Sequence, residues 1–186
     1  MKNLIKKINR IFQNYMREKR LKIGKYIWDR KEKVKIVEGD NFLEDNNIKS
    51  ILFLRYDGKI GDMIVNSLMF REIKKVYSDI RIGVVARGAA IDIIKNNPNV
   101  DKIYEYHKNR KKIKDLALKI KEEKYDLLID FSEMLRVNQM MLINLCGARI
   151  NVGIDKEYWK LFMILLKYFL FIKKLFLQLI ILILKI

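Results

Sequence analysis

The sequence predicts an α/β fold, a parallel β-sheet with helices on its faces. Three observations carry that expectation. From Ile48 onward, short apolar runs alternate with stretches of helical apolar spacing, the order that βαβ units impose. One of these runs, YDLLIDF at 125–131, is apolar on both faces, as a central strand covered from both sides must be. Breaker residues fall between the runs, at Gly58 and Gly61, at Asn97-Pro98 and at Gly147.

The elements follow in order. Residues 1–47 form a basic N-terminal arm; within 1–37, thirteen Lys and Arg stand against Glu18, Asp29 and Glu32. Leu4, Ile5, Ile8, Ile11, Phe12, Tyr15 and Met16 recur at helical spacing and make one apolar stripe. Such a helix packs on its own domain or lies on an anionic membrane surface, where each basic residue contributes about 1 kcal/mol. A nucleic-acid arm is the weaker third reading, because no recognition motif follows it. No uncharged run of signal-peptide type follows the first lysines.

SILFLR (50–55) is the first strand, and GDMIVNSLMFREIKKVY (61–77) the helix after it. RIGVVAR (81–87) is the second strand, and AAIDIIKNN (89–97) a short helix that Pro98 ends. VDKIYEY (100–106) is the third strand, followed by a charged surface helix, RKKIKDLALKIKEEK (110–124). The fourth strand, 125–131, leads to the helix MLRVNQMMLINLC (134–146), with Gly147 placed to terminate it. ARINVGI (148–154) is the fifth strand, so residues 48–157 form one Rossmann-like domain.

Residues 158–186 break the pattern. The tail is almost entirely Leu, Ile, Phe and Lys, and Lys167, Lys173 and Lys174 cut it into pieces shorter than the roughly 20 residues of a membrane span. It reads as an interfacial segment, as a buried helix of a larger fold, or as the product of a shifted reading frame in AT-rich DNA.

Composition narrows the function. At 51% hydrophobic and 33% charged the chain is globular in class, and its net charge of +17 favours anionic partners: phosphorylated sugars, anionic lipid or nucleic acid. The heavy use of Lys, Ile and Asn is the pattern expected of an AT-rich genome, in which part of the Lys excess is codon bias. The lone Cys146 forms no internal disulfide, and one His (His107) with one Cys is too few for a zinc site. The aromatics are spread through strands and helices and form no RNA-stacking stripe.

The segment that carries chemistry is RYDGKIGD, 55–62, between the first strand and its helix. In an open α/β sheet, ligands bind outside the carboxyl ends of the strands, and the amides opening a helix favour anions. Yet the spacing is neither GxxxxGK[ST] nor GxGxxG. Asp62 at the helix start repels a phosphate placed there and is better suited to accept a proton from a hydroxyl; it also suits a purely structural place by complementing the helix dipole.

Taken together and in order, RYDGKIGD, REIKKVYSDIRIGVVAR, NNPNVDKIYEY, KYDLLIDF and ARINVGID resemble the family 9 glycosyltransferases, the ADP-heptose:lipopolysaccharide heptosyltransferases and their relatives. Their usual string runs R-x-D-x-I-G-D, a K-x-x-Y-P-like helix end, N-P-x-I-D-x-V, Y-D-x-x-I-D and R-I-G-F. The resemblance covers Ile48 to Glu157. It implies the N-terminal, acceptor-binding half of a GT-B fold, whose other half binds the nucleotide-sugar donor. It implies that Asp62 is the general base that deprotonates the acceptor hydroxyl for inverting attack on the anomeric carbon, in a closed cleft that desolvates it. Gly61 then lets the acceptor approach the backbone, and Arg55 and Lys59 hold acceptor phosphate or carboxylate groups. Gly58 makes the loop one residue longer than the commonest family form. After the fourth strand the family has D-x-Q-G-x-x-R; Asp130 and Arg136 match it, Ser132 and Glu133 depart from it, and Arg136 becomes an acceptor ligand.

The resemblance further implies no metal or cofactor, with an ADP-heptose-like donor as substrate. The expected partners are an anionic glycolipid or glycan acceptor and the inner face of an anionic membrane, with no nucleic acid, and the expected location is cytoplasmic and peripheral. Because the chain stops where the first domain of the family ends, the tail is expected to be a truncation or frameshift product and the chain alone to transfer no sugar. The rival expectation is a non-catalytic, basic membrane-associated protein that keeps the fold.

Overall fold

The computed structural model describes residues 2–29, 42–132, 136–153 and 163–164. Helix α1 (Lys2–Trp28) comes first, then the single turn α2 (Phe42–Asp45). Strands and helices then alternate: β1 (Ser50–Arg55), α3 (Ile60–Val76), β2 (Arg81–Ala86), α4 (Ala89–Ile94), β3 (Lys102–Glu105), α5 (Arg110–Glu122), β4 (Leu127–Asp130), α6 (Val137–Cys146), β5 (Ile150–Gly153) and the two-residue β6 (Met163–Ile164). The sheet is parallel throughout, in the order β3-β2-β1-β4-β5-β6. The five expected strands are all present. The sixth comes from within 158–186, where Met163 pairs with Val152 and Ile164 with Gly153; the rest of that tail lies outside the described residues.

Period-2 alternation sorts the side chains of β1 to two faces. Leu52 and Leu54 join Val85, Tyr104, Ile113, Ile120 and Met141 on the face covered by α5 and α6. Ile51 and Phe53 join Val84, Met63, Phe70 and Ile94 under α3 and α4. All six residues of β1 and all four of β4 are buried, as central strands of a doubly covered sheet require. Phe42 of α2, inside the stretch read as the arm, is 8% exposed and packs in the α3 and α4 layer.

Helix α1 departs from the simple picture of a helix packed on its own domain. Residues 3–20 are all exposed, and the stripe from Leu4 to Met16 meets none of the core. Only the last third docks: Leu21 and Trp28 pack against the α5 and α6 layer, and Asn144 Nδ2 donates to the Trp28 carbonyl at 2.6 Å. Gly24 makes that docking close. A Cβ there would sit 2.7 Å from Val137 Cγ2, so α1 reaches α6 only because the side chain is absent.

Strand order reverses between β1 and β4: β1 is followed in the chain by β2 on one side, while β4 leads to β5 on the other. This switch point opens a crevice outside the carboxyl ends of the strands, the place where such sheets bind ligands.

Candidate functional site

Arg55 ends β1 and is 9% exposed, with its guanidinium turned over the first turn of α3. Its Nη2 lies 3.1 Å from Asp62 Oδ2, and Lys59 Nζ lies 3.8 Å from the same oxygen. Lys59 is the N-cap residue of α3, which puts Asp62 at the third helical position, where a carboxylate complements the dipole. Below it, buried Asn66 donates to the Asp62 carbonyl at 2.7 Å. The Asp62 side chain is 41% exposed.

The two loop glycines differ. Gly58 has φ +77°, a left-handed conformation that favours glycine, and a Cβ there would lie 3.2 Å from the Arg87 carbonyl. Among the described residues, nothing beyond the neighbouring helix backbone lies within 4 Å of a Cβ placed at Gly61, so their packing does not itself demand glycine there. Asp57 braces the loop: its Oδ1 accepts from the Lys59 amide at 3.4 Å and its carbonyl accepts from Arg87 Nη2 at 3.4 Å.

A second polar group closes the switch point from the β4 side. Asp130 is fully buried; it accepts from the Ser132 amide at 3.0 Å and from Gln139 Nε2. Gln139, 1% exposed, also donates to Ser132 Oγ at 2.6 Å, and Tyr56 donates to that oxygen at 3.4 Å. Burial drives the Tyr56 phenol far above its usual range; the Ser132 hydrogen bond opposes this and the Asp130 charge adds to it. Tyr56 is thereby a neutral hydrogen-bonding group at any working pH, and its ring packs against Tyr106 at 5.2 Å, tilted by 50°.

Above these groups lies a cleft of about 1360 Å³. Its floor is the carboxyl edge of the sheet: Tyr56, Asp57 and Lys59 after β1, Arg87 after β2, Tyr106, Lys108 and Arg110 after β3, Arg136 to Asn138 after β4. Its other wall is α1, from Gln13 to Trp28. Of the residues singled out from sequence, Lys59 and Arg136 line this cleft. Arg55, Gly58, Gly61 and Asp62 do not; they form the neighbouring ion-paired corner at the start of α3. His107 is half-exposed, 3.7 Å from Glu105 Oε1, and takes no part.

Sequence reasoning missed Gln139, which holds Asp130, and it missed Arg17 and Arg20, which α1 carries to the cleft. Gln139 has no local signal. Gly24 is the trace left by the second: a glycine within a helical stretch costs about 1 kcal/mol against alanine, and close approach is what offsets it here.

No family model matches the sequence. The chain is 26% identical over 105 residues to lipopolysaccharide heptosyltransferase 3 of Escherichia coli, an alignment covering 53% of this chain and 30% of that protein. Its fold is similar to that of a glycosyl transferase family 9 protein from Veillonella parvula, with TM-score 0.51, 19% identity, and 58% of this chain covering 32% of that one. The E. coli ADP-heptose lps heptosyltransferase II superposes with TM-score 0.47 at 18% identity, over 56% of this chain and 30% of that one. The chain therefore spans about a third of the length of the relatives it matches. Over roughly half of its own length, then, this chain is similar in sequence to a lipopolysaccharide heptosyltransferase and shares the Rossmann-like fold of a family 9 glycosyltransferase.

Proposed function

We propose that this chain is the acceptor-binding part of a glycosyltransferase that moves a heptose-like sugar from a nucleotide-sugar to a lipopolysaccharide or related surface-glycan acceptor. The observation that carries the reading is the place of the Gly-Asp turn. Asp62 stands at the helix start directly after β1, beside the switch point, on a sheet whose sequence is similar to a heptosyltransferase.

In this reading the Asp62 carboxylate takes the proton from an acceptor hydroxyl. The hydroxyl oxygen then attacks the anomeric carbon of the donor, and the nucleoside diphosphate leaves from the opposite face with inversion. Arg55, at 3.1 Å, orients the carboxylate, and Lys59, exposed at 3.8 Å, is free to swing toward an acceptor anion. On this reading the donor nucleotide-sugar is bound by a second domain, as the family resemblance implies. The same 3.1 Å pair favours a second reading, in which Asp62 only neutralises the nearly buried Arg55 and the fold serves without transfer.

The stripe on α1 adds a membrane component to either reading. Leu4, Ile5, Ile8, Ile11 and Phe12 are each more than half exposed, on a helix whose nine Lys and Arg face a single acid, Glu18. Such a helix holds a protein to an anionic bilayer surface. No helix among the described residues is long and apolar enough to cross a membrane.

Deleting the gene that encodes this chain together with its donor-binding half, and weighing the surface glycan by mass spectrometry, tests transfer. The expected result is loss of one sugar residue, restored by the wild-type gene but not by Asp62→Asn. Loss of a general base costs roughly 10²-fold in turnover or more, while asparagine caps about as well as aspartate. An unchanged glycan defeats the transferase reading. Full restoration by Asp62→Asn, with a lowered melting temperature of the variant, makes Asp62 structural.

A further inference from the structure

We propose that α1 mounts the domain on an anionic phospholipid bilayer in one fixed orientation: the outer side of α1 enters the headgroup region, the α5 and α6 layer faces the lipid, and the α3 and α4 layer faces away from it. This rests on the membrane component of the reading above and adds how the domain stands on the surface.

The stacking of layers is the first observation. On α6, Gln139 turns to the sheet, where it holds Asp130. Val137 and Met140 turn to Gly24 of α1, and Asn144 donates to the Trp28 carbonyl. At about 3.6 residues per turn, these three positions lie on the far side of α6 from Gln139. α1 is therefore a layer outside α6, which separates it from the sheet. The contact is close, because a Cβ at Gly24 would lie 2.7 Å from Val137 Cγ2. A helix held that closely along its last third carries the domain with it.

The second observation is the side that α1 leaves open. Leu21, Gly24 and Trp28 dock, and Leu4, Ile8, Ile11 and Tyr15 lie nearly opposite them around the helix. The open side does not end where docking begins. Ile23 and Ile27, within the docked third, are 59% and 44% exposed. Lys19 and Lys22 interrupt this side. The Lys19 ammonium lies over the Tyr15 ring at 5.4 Å, and stems of this length let the charge reach the headgroups while their carbons stay in the apolar layer.

Charge is the third, and it is independent of the stripe. α5 carries six Lys and Arg against Asp115 and Glu122. Across the sheet, α2, α3 and α4 together carry only Arg71, Lys74 and Lys75, against five acids. An anionic surface attracts the first face and repels the second. With α1 on the lipid, the α3 and α4 layer stands behind α6 and the sheet, beyond the Debye length of about 8 Å.

The occupant follows from apolar stripe and charge together. A duplex nucleic acid offers charge but no place for a long apolar stripe. A second copy of this chain offers a stripe, but it brings nine Lys and Arg with one acid against the same nine. An anionic bilayer surface accommodates both features.

Vesicle sedimentation and site-directed fluorescence on the full chain test this, with phosphatidylcholine vesicles, alone or mixed with phosphatidylglycerol, as the probe. Binding should require phosphatidylglycerol. Ile8→Ser with Ile11→Ser, both exposed, should weaken it about tenfold or more. Lys114→Gln with Lys119→Gln on α5 should weaken it about threefold or more. Lys75→Gln with Lys95→Gln removes the same charge from the opposite face and should change it less than about twofold. A dye on Ile23→Cys, Leu118→Cys or Ile93→Cys reports orientation; all three positions are exposed, whereas Cys146 is buried. A nitroxide on the lipid headgroup should quench Ile23→Cys most, Leu118→Cys less and Ile93→Cys least.

That order, together with unequal losses for the two lysine pairs, supports the mount. Anionic binding with equal quenching at Leu118→Cys and Ile93→Cys, or with equal losses for the two lysine pairs, overturns the orientation and leaves the membrane component above standing by itself. Equal binding to neutral vesicles, or no binding, overturns both. So does tighter binding to duplex DNA than to the anionic vesicles, or a dimer in sedimentation velocity that Ile8→Ser with Ile11→Ser abolishes. Sugar transfer is read separately, by the surface glycan after gene deletion, and stands or falls without the mount.

Discussion

Helices α1 and α5 follow the same written pattern, lysine and arginine around a recurring apolar face, and meet opposite fates. In α5, Ile113, Ala117 and Ile120 are at most 1% exposed. In α1, Leu4, Ile5, Ile8, Ile11 and Phe12 are 56–62% exposed. The cause is connectivity. α5 is a crossover between the parallel strands β3 and β4, with a few residues at each end, so it has no choice but to lie on the sheet. α1 lies outside the strand-helix alternation, and among the described residues it docks through its last third, at Leu21, Gly24 and Trp28. An apolar stripe says that a face needs cover; topology says whether the chain itself provides it.

The largest expected effect sharpens that contrast. Ile113→Ala should cost about 2–5 kcal/mol in urea unfolding, as for other buried truncations, while Ile8→Ala should stay within about 0.5 kcal/mol. Cys146 gives a second readout, since burial among the α5 and α6 side chains pushes its thiol up to about 12. Thiol labelling at pH 8 should therefore be slow in the wild type and in Ile8→Ala, and faster in Ile113→Ala. Equal costs for the two isoleucines would break the comparison.

A middle effect is expected where α1 does touch the domain. Gly24→Ala improves helix propensity by about 1 kcal/mol, yet its Cβ collides with the stiff Val137 side chain. Overpacking of this kind costs about 1–3 kcal/mol. Amide exchange should quicken at residues 21–28 and stay unchanged in α5. A variant as protected as the wild type at those amides would mean that the docking is looser than the 2.7 Å from the Gly24 Cβ position to Val137 implies.

The smallest effect concerns the helix starts. Asn109 Oδ1 accepts from the Lys111 amide at 2.9 Å and the Lys112 amide at 3.2 Å, capping α5. Asn109→Ala should cost about 1 kcal/mol in the same unfolding assay. No change there would show that packing of α5 alone fixes its start.

The order of β1 to β5 and the bounds of β1 were legible because each strand carries its own signal, β-branched and aromatic runs with glycine and proline between them; β3, β4 and β5 each begin two residues later than the apolar runs suggest. The Gly-Asp turn was legible for the same reason. Within it, the glycine that the backbone conformation requires is Gly58, a distinction that depends on Arg87 approaching from another loop. Gln139 beneath Asp130 left no mark in the local pattern.

The sequence by itself determined a parallel α/β sheet with a charged turn after its first strand, because periodicity and turn chemistry act over a few residues. Only the tertiary structure decided which charges meet. Arg55 and Asp62 are close in sequence, and they pair because β1 and the first turn of α3 are adjacent. Arg17, Arg87, Lys108 and Arg136 are far apart in sequence and share one cleft only because four strand ends and one helix converge there. No local propensity encodes that convergence. It follows from strand order and from the close contact of Gly24 with Val137, where the absence of a single side chain lets α1 close the wall.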